Sequence, residues 1–154
     1  MKRILAAALI LIGLTGIAAA CPTIGMTGVS YNMSGDQLYS PQTLNVTAGG
    51  PNNLSNCGFN HAGYVISAPD FSFYLSGMGN YRLEIEVNGG NCDTMLLVNS
   101  ANGTWFYDDD SNGNLQPVVN IQGGQHTNGR VDVWVGTYNG DYCNATLEME
   151  TWNN

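Results

Sequence analysis

The stretch YRLEIEV, residues 81–87, decides the fold class. Its apolar side chains alternate strictly with charged ones, and a period of two is typical of a β-strand that is buried on one face and wet on the other. The same alternation returns in residues 129–138 and in residues 142–152. These three segments predict half-buried strands of a sheet.

Shorter apolar runs, bounded by Gly, Pro and Asn, fill the chain around these strands. The runs cover residues 43–48, 63–67, 71–75, 94–98, 104–107 and 118–121. Residues 94–98, TMLLV, are continuously apolar and predict a central strand, and the polar arm at residues 21–42 could lend one more. Eight to ten short strands without helical periodicity predict an all-β protein, an antiparallel β-sandwich with a jelly-roll-like arrangement.

The N-terminus predicts export from the cell. Lys2 and Arg3 precede an apolar run, residues 4–20, which ends in three alanines. This is the pattern of a secretory signal peptide at residues 1–20, and the run is too short and too terminal for a membrane span. Residues 21–154 are then expected to fold as a single domain.

The charge balance after residue 20 excludes several functions. Twelve acidic residues stand against two basic ones, Arg82 and Arg130, so the net charge is −10 with neutral histidines. Two arginines cannot form a basic stripe, which excludes nucleic acid as a partner. The absence of lysine excludes Schiff-base chemistry and a phosphate-binding lysine loop.

Four cysteines follow the signal peptide, namely Cys21, Cys57, Cys92 and Cys143. An even number in an exported chain predicts two disulfides, with three possible connectivities. We favour Cys21–Cys57 with Cys92–Cys143, because each pair would close one half of the chain. The alternative for Cys21 is the lipid anchor of a bacterial outer-membrane lipoprotein, although Ala18 stands where a bulky apolar residue is usual and one cysteine would lack a partner.

The segment DDDSNGN, residues 108–114, is the strongest local motif. It matches the first half of a calcium loop, in which alternate oxygens converge on a hard cation and a glycine permits the turn. The predicted metal ligands are Asp108, Asp110, Asn112 and Asn114, completed by Asp93 or Asp141. The usual twelfth-position Glu is replaced by Val119, so the segment is not an EF-hand, and the alternative is a turn shaped by Asp and Asn side chains.

Trp134 and Trp152 lie out of phase with the apolar residues of their predicted strands. If these strands pair through a hairpin at Asn139-Gly140, the two indoles would share an outer face and could stack on sugars or on a protein partner. The alternative is that this face is covered by the N-terminal arm or by the second sheet.

Catalytic motifs are weak. His61 and His126 lie in Gly- and Asn-rich segments, and neither a G-x-S-x-G elbow nor a serine-protease loop is present. Four glutamates, Glu84, Glu86, Glu148 and Glu150, could supply a glycosidase pair, but their alternation with apolar residues predicts a solvent-facing sheet surface.

From about residue 70 to residue 152 the chain resembles the bacterial pre-peptidase C-terminal domain family. The resemblance is carried by YRLEIEV (81–87), CDTMLLV (92–98), NGTW (102–105) with Asp109-Asp110 after it, GRVDVWVGT (129–137) and ATL (145–147). The residues upstream are similar to small exported proteobacterial proteins that carry such a domain alone and are often labelled as peptidases. The resemblance implies a jelly-roll-like sandwich that aids secretion, stability or substrate binding, and some members bind calcium.

Together these features predict an exported, non-enzymatic binding or accessory module, periplasmic or secreted, with calcium as the one possible cofactor. Its partner would be an extracellular or periplasmic protein or glycan. The alternatives are a secreted peptidase-like hydrolase and a carbohydrate-binding module that uses Trp134 and Trp152.

Overall fold

The computed structural model describes residues 21–154, so the predicted signal peptide lies outside the described residues. Within this range the chain forms eleven strands and two one-turn α-helices, with a one-turn 3-10 helix at Leu54–Cys57. The strands are β1 (Val29–Ser34), β2 (Gln42–Ala48), β3 (Asn52–Asn53), β4 (Tyr64–Val65), β5 (Phe71–Ser76), β6 (Tyr81–Asn88), β7 (Thr94–Asn99), β8 (Trp105–Asp108), β9 (Val118–Gln122), β10 (Gly129–Thr137) and β11 (Cys143–Asn153). The helices are α1 (Gly35–Leu38) and α2 (Gly124–Thr127).

The strands form a seven-stranded and a four-stranded sheet, which confirms the predicted β-sandwich. In the larger sheet β10 is central, with β5 and then β4 along one edge and β7, followed by β8, along the other. The smaller sheet has the order β2-β11-β6-β9. All pairs are antiparallel except β1 with β5, where the N-terminal arm adds a parallel edge strand.

The main core lies between the two sheets. Leu83, Ile85 and Val87 of β6 are buried, and the alternate residues of β6 are more exposed, as their spacing predicts. The same holds for β11, where Leu147 and Met149 are buried. Apolar burial of this kind contributes about 25 cal/mol per Å² and is what joins the sheets.

A second, smaller core covers the opposite face of the larger sheet. It contains Leu54, Val65, Met95, Leu97 and Trp134. Strand β7 contributes to both cores, because Leu96 and Val98 face the first and Met95 and Leu97 face the second. This explains why TMLLV is apolar at every position: β7 is a central strand with both faces covered.

The disulfides are Cys21–Cys57 and Cys92–Cys143, as favoured from the sequence. The first ties the 3-10 helix, and with it the cover of the second core, to the start of the described chain. The second joins the loop before β7 to the start of β11, and therefore links the two sheets. A sulfur bonded to Cys57 is not free to carry a lipid, so the anchor alternative for Cys21 does not hold in this structure.

Two observations bear on where the protein resides. Two disulfides fit an oxidising compartment, either extracellular or periplasmic. No helix in residues 21–154 has the length and hydrophobicity needed to cross a lipid bilayer.

The predicted hairpin at Asn139-Gly140 is wrong. Residues 138–142 carry the chain from β10 in the larger sheet to β11 in the smaller one, so the two strands do not pair. The turn itself is present, because the Asn139 side chain accepts a hydrogen bond from the backbone N–H of Asp141 (3.1 Å). The Asn-Gly pair predicts only the local turn. The apolar face of β11 determines which sheet this strand joins.

Candidate functional site

The predicted platform of Trp134 and Trp152 does not form. Trp134 lies on the opposite face of β10 from Val133 and Val135, as its phase predicts, but that face is covered and the indole is 0% exposed. The buried residues that cluster with it are Leu54, Val65, Met95 and Leu97, so this face is covered, but by residues outside the smaller sheet. Trp152 lies on the smaller sheet, 45% exposed, so the two indoles belong to different sheets.

Trp152 is held by its neighbours on the smaller sheet. Its indole N–H donates to Glu84 Oε1 (3.2 Å), and the Arg82 guanidinium lies 5.7 Å from the ring centre. Arg82 also pairs with Glu84 at 3.2 Å. One exposed face of this ring therefore already carries a cation.

Exposed aromatic side chains do gather above the buried Trp134. The ring centre of Trp105 lies 5.3 Å from that of Trp134, and Phe59 meets Trp105 edge-on at 5.1 Å. Trp105 is 37% exposed. These distances and angles are those of favourable aromatic pairs, so Trp105 and Phe59 are held in place by a packed layer beneath them.

A second aromatic pair lies beside the first. The imidazole of His61 stacks on the ring of Tyr107, with centres 4.1 Å apart and planes 11° from parallel. The Tyr107 hydroxyl donates to Asp109 Oδ2 (3.3 Å). Burial, followed by the nearby charges of Asp109, Tyr138 and Asp108, raises the pKa of Tyr107, so the phenol stays protonated and remains a donor.

Of these rings, Phe59 and His61 line an open cavity of about 440 Å³. We call it the aromatic groove, and its principal lining residues are Asn53, Ser55, Phe59, His61, Tyr64 and Tyr138. Volumes of this order hold a small ligand or one side chain of a larger partner.

The strand ends place the two tyrosines of the groove. Tyr138 directly follows β10, and its backbone N–H donates to the carbonyl of Asp93 (3.0 Å). Tyr64 pairs with Thr137 across the β4–β10 ladder. Gly140, at φ +87°, lies against the Tyr64 ring, and a Cβ atom there would sit 3.2 Å from it. A side chain at this position would therefore press on the groove.

Three carboxylates lie in segments that contact the lining residues of the groove, although none of the three lines it. Burial raises the pKa of Asp93, and the charges of Asp110 and Asp109 raise it further, so these three carboxylates are close enough to repel one another. Asp109 also bonds Tyr107, behind His61. Neither arginine is nearby, since Arg82 is on the smaller sheet and Arg130 bonds Asp132 (2.9 Å) at the far end of β10.

The predicted calcium residues do not form a set of free ligands. Asp108 accepts hydrogen bonds from the Ser111 N–H (3.1 Å), the Ser111 hydroxyl (2.5 Å) and the Val118 N–H (2.8 Å). The Asn112 amide donates to Glu86 (2.9 Å). These are the bonds of the alternative that we considered, a turn shaped by Asp and Asn side chains.

Of the other proposed ligands, Asp93 and Asp110 lie close enough for their charges to interact. Asn114 sits at φ 52° and offers its backbone carbonyl to the Gln116 side chain (3.0 Å). In residues 21–154 no three His, Cys, Asp or Glu side chains are grouped as a metal site requires. Ca²⁺ takes six to eight oxygens, among them amide and backbone oxygens, so calcium binding by this loop stays a prediction.

The two histidines have neighbours unlike those of a hydrolase. His126 Nδ1 lies 3.0 Å from the Asn102 side-chain oxygen, and His61 stacks on Tyr107. Ser55 lines the groove with His61, but its hydroxyl donates to Asn53 Oδ1 (2.6 Å). Neither histidine in the described part of the chain has a serine hydroxyl as a hydrogen-bond partner.

The four glutamates of the smaller sheet stand in two cross-strand pairs, Glu84 with Glu150 and Glu86 with Glu148. They lie on its outer face, as their alternation predicts. Burial raises the pKa of Glu150, and the charges of Glu84 and Glu148 add to the effect. They lie on a sheet surface and line none of the cavities described for this chain.

Sequence reasoning missed the aromatic groove. The signal was TWFY, residues 104–107, where Trp105 and Tyr107 are two residues apart and so share a face of β8. Phe59 and His61 could not be added to that face from the sequence, because their position depends on a loop fixed by Cys57.

The chain matches no protein-family model, no curated protein and no solved structure.

Proposed function

We propose that this protein is an exported, non-enzymatic binding module, of the kind its resemblance to pre-peptidase C-terminal domains implies, and that it binds its partner at the aromatic groove. The observation that carries the proposal is a set of packed rings that reaches the surface: Trp105, which contacts Phe59 and the buried Trp134, and His61, which stacks on Tyr107. Exposed rings at the surface of a soluble protein are typical of contact surfaces.

Rigidity supports the same function. The segment that carries Phe59 and His61 is closed by two backbone hydrogen bonds, from Leu54 N–H to Gly63 (2.9 Å) and from Phe59 N–H to Leu54 (3.2 Å). The disulfide at Cys57 fastens the same segment. A binding surface that is already ordered loses less conformational entropy when its partner arrives, which favours affinity.

A glycan is the second candidate partner, and one observation favours it. Trp105 offers an exposed indole beside the polar side chains of the groove, the combination that sugar rings stack on. If the partner is a glycan, Trp105 would stack on the sugar ring, which is the role that the sequence suggested for Trp134. Trp152 is a separate exposed ring on the smaller sheet.

The test uses purified protein without the predicted signal peptide. Extracellular and periplasmic proteins, and a glycan array, are probed with the wild type and with Tyr138→Ala and Trp105→Ala. We expect binding that both variants weaken and that Tyr74→Ala, an exposed tyrosine on β5, leaves unchanged. Binding that all three variants weaken equally, or none, would contradict the groove as the binding site.

Turnover assays on the same protein separate the module from a hydrolase. We expect no cleavage of casein or of fluorogenic peptides. Cleavage that His61→Ala or His126→Ala abolishes would contradict the non-enzymatic assignment.

A further inference from the structure

We infer that this protein pairs with a second copy of itself along the free edge of β2, so that the four-stranded sheets of the two copies continue as one sheet. The inference goes beyond the proposed function, because β2 belongs to the smaller sheet and lines no part of the aromatic groove.

The first step is the free edge itself. Strand β2 is the outermost strand of the smaller sheet, and β11 is its one strand neighbour in residues 21–154. The two strands pair without interruption from Gln42 opposite Met149 to Ala48 opposite Cys143, so β2 has no bulge. The backbone N–H and C=O groups that point away from β11 therefore form a regular row, which is a template for another strand.

Strand β2 also lacks the features that usually protect an edge. QTLNVTA, residues 42–48, contains no charged residue, no proline and no glycine. The other edges in the described chain are shorter or covered. Strand β3 has two residues, β8 has four and ends at Asp108, β9 contacts β8 and α2, and β1 contacts α1. The longest edge strand is thus also one that is open to pairing.

The sequence of β2 favours a second copy as the partner. Around Asn45 the strand reads Thr-Leu-Asn-Val-Thr, residues 43–47. In an antiparallel pair of two copies centred at Asn45, Thr43 faces Thr47 and Leu44 faces Val46. Threonine pairs and apolar pairs of this kind stabilise neighbouring strands. The contact uses the same residues of both copies and has two-fold symmetry, so it closes at a dimer.

Leu44 and Val46 add an apolar component to the pairing. Both pack against the main core but are only partly buried, whereas Leu147 on the neighbouring strand is 0% exposed. The two-fold axis of an antiparallel edge pair is perpendicular to the sheet, so the inner face of one copy continues into the inner face of the other. Leu44 and Val46 of the two copies would then shield each other from water.

The negative charge of the chain does not oppose this contact directly. The outer face of β2 presents Thr43, Asn45 and Thr47, and Glu148 lies opposite Thr43 on β11. In the dimer this row would continue to Thr47 and then to Asn144 of the second copy, so no glutamate faces another. The two β11 strands would be three strand spacings apart, about 14 Å, which exceeds the screening length of about 8 Å at physiological ionic strength.

The experiment is sedimentation equilibrium on the purified protein without the predicted signal peptide, at about 0.15 M salt. We expect a dimer whose fraction rises with concentration, and no larger species. Asn45→Lys and Asn45→Glu each place two like charges opposite each other at the axis, so each variant alone should weaken the dimer about tenfold or more. An equal mixture of the two variants should restore it, because Lys then faces Glu.

The matched control is Asn120→Lys. Asn120 is an exposed residue of β9, at the opposite edge of the same sheet. This variant adds the same charge to the same sheet, and the dimer should change less than about twofold. Circular dichroism and the melting temperature establish that all three variants are folded.

Cysteine substitutions test the register of the pair. Facing Cα atoms of antiparallel strands are about 4.5–5.5 Å apart, which a disulfide can span. We expect Asn45→Cys to form a disulfide between copies under mild oxidation. Thr43→Cys alone should not do so, whereas a mixture of Thr43→Cys and Thr47→Cys should.

Each other outcome would overturn the inference. A monomer at every concentration up to the millimolar range would show that the edge does not pair with a second copy. A dimer that Asn45→Lys and Asn120→Lys weaken equally, or that neither weakens, would place the interface elsewhere. Larger open assemblies would show that β2 pairs with a different edge. None of these results bears on binding at the aromatic groove, so the two proposals can fail separately.

Discussion

The exposed indole of Trp105 rests on the buried indole of Trp134, with ring centres 5.3 Å apart. One ring belongs to β8 at the sheet edge, and the other to β10 at its centre. The pair joins the second core to the surface that we propose as the binding site. Stability should therefore depend mainly on Trp134, and binding mainly on Trp105.

Truncation of the buried ring should cost far more than truncation of the exposed one. Trp134→Ala removes the largest side chain of the second core and leaves a cavity, so we expect a loss of about 3–5 kcal/mol in the free energy of unfolding. Trp105→Ala should cost about 1 kcal/mol, because its ring is partly in water already. Urea unfolding followed by far-ultraviolet circular dichroism measures both, and equal losses would contradict the two-core description.

Removal of the Cys21–Cys57 disulfide should loosen residues 52–66, which cover the second core, before the two sheets separate. The bond Cys21–Cys57 closes a separation of 36 residues, for which the chain-entropy relation gives about 3–4 kcal/mol. In Cys21→Ser/Cys57→Ser we expect faster amide hydrogen exchange at residues 52–66 than in β6 or β11. The control is Cys92→Ser/Cys143→Ser, which should affect the loops at residues 89–93 and 138–142 instead. Uniform acceleration in the first variant would show that its cover does not unfold separately.

The sequence predicts best the strands in which apolar and polar residues alternate. In these strands the local pattern alone determines which side chains are buried. Leu83 and Ile85, with Leu147 on the neighbouring strand, face the core as their spacing predicts. The cover of Trp134 could not be predicted in the same way. It depends on Leu54 and Val65, which lie far away in sequence and whose position is set by a disulfide and by short two-residue strands that carry no periodic signal.

The candidate site could be predicted only in part, because it too depends on contacts between residues distant in sequence. The aspartates at residues 108–110 stood out because an acidic run is visible in a sequence. Asp108 is a turn residue because it accepts hydrogen bonds from Ser111 and Val118. The sequence does not predict the second bond, because it depends on how the first residue of β9 is placed after the loop. The groove brings together residues 53–64 and Tyr138, with Tyr107 stacked on His61, and no local sequence pattern predicts that these distant segments meet.

The stability of the protein should depend on pH through Asp70. This carboxylate accepts a hydrogen bond from the Val135 N–H (2.7 Å) where β10 leaves β5, and burial raises its pKa from 3.8 to about 7. The folded state therefore binds this proton more tightly than the unfolded state, and the contribution of Asp70 to stability falls as the pH rises from about 4 to about 7.

Asp70→Asn tests this dependence, because an amide keeps the carbonyl acceptor and has no charge. We expect the variant to be more stable than the wild type at pH 8, by up to about 4 kcal/mol, and no different near pH 4. Asp36→Asn, at an exposed carboxylate of α1 that accepts a hydrogen bond from the Tyr81 hydroxyl (2.6 Å), serves as the control and should not reproduce the gain at pH 8. A variant that is less stable at pH 8 would show that the ionised form is favoured in the fold.

Calcium should leave the melting temperature unchanged. Asp108 is already the acceptor of three hydrogen bonds, and Asn112 donates to Glu86, so an ion that used either of these side chains would have to compete with existing contacts. Scanning calorimetry with millimolar calcium and with EDTA is the measurement. A higher melting temperature in calcium, lost in Asp110→Asn, would restore the metal-loop hypothesis.

The short segment between Cys57 and Tyr64 could vary in sequence while the fold is retained. Residues 58–62 are mostly exposed, while both of their ends are fixed, by the disulfide on one side and by pairing with β3 and β10 on the other. New sequences that keep Phe59, which packs against the second core, could be grafted there with little disturbance to the sandwich beneath. The frame could thus serve as a display scaffold, in which specificity is rewritten at a handful of positions and the fold is inherited unchanged.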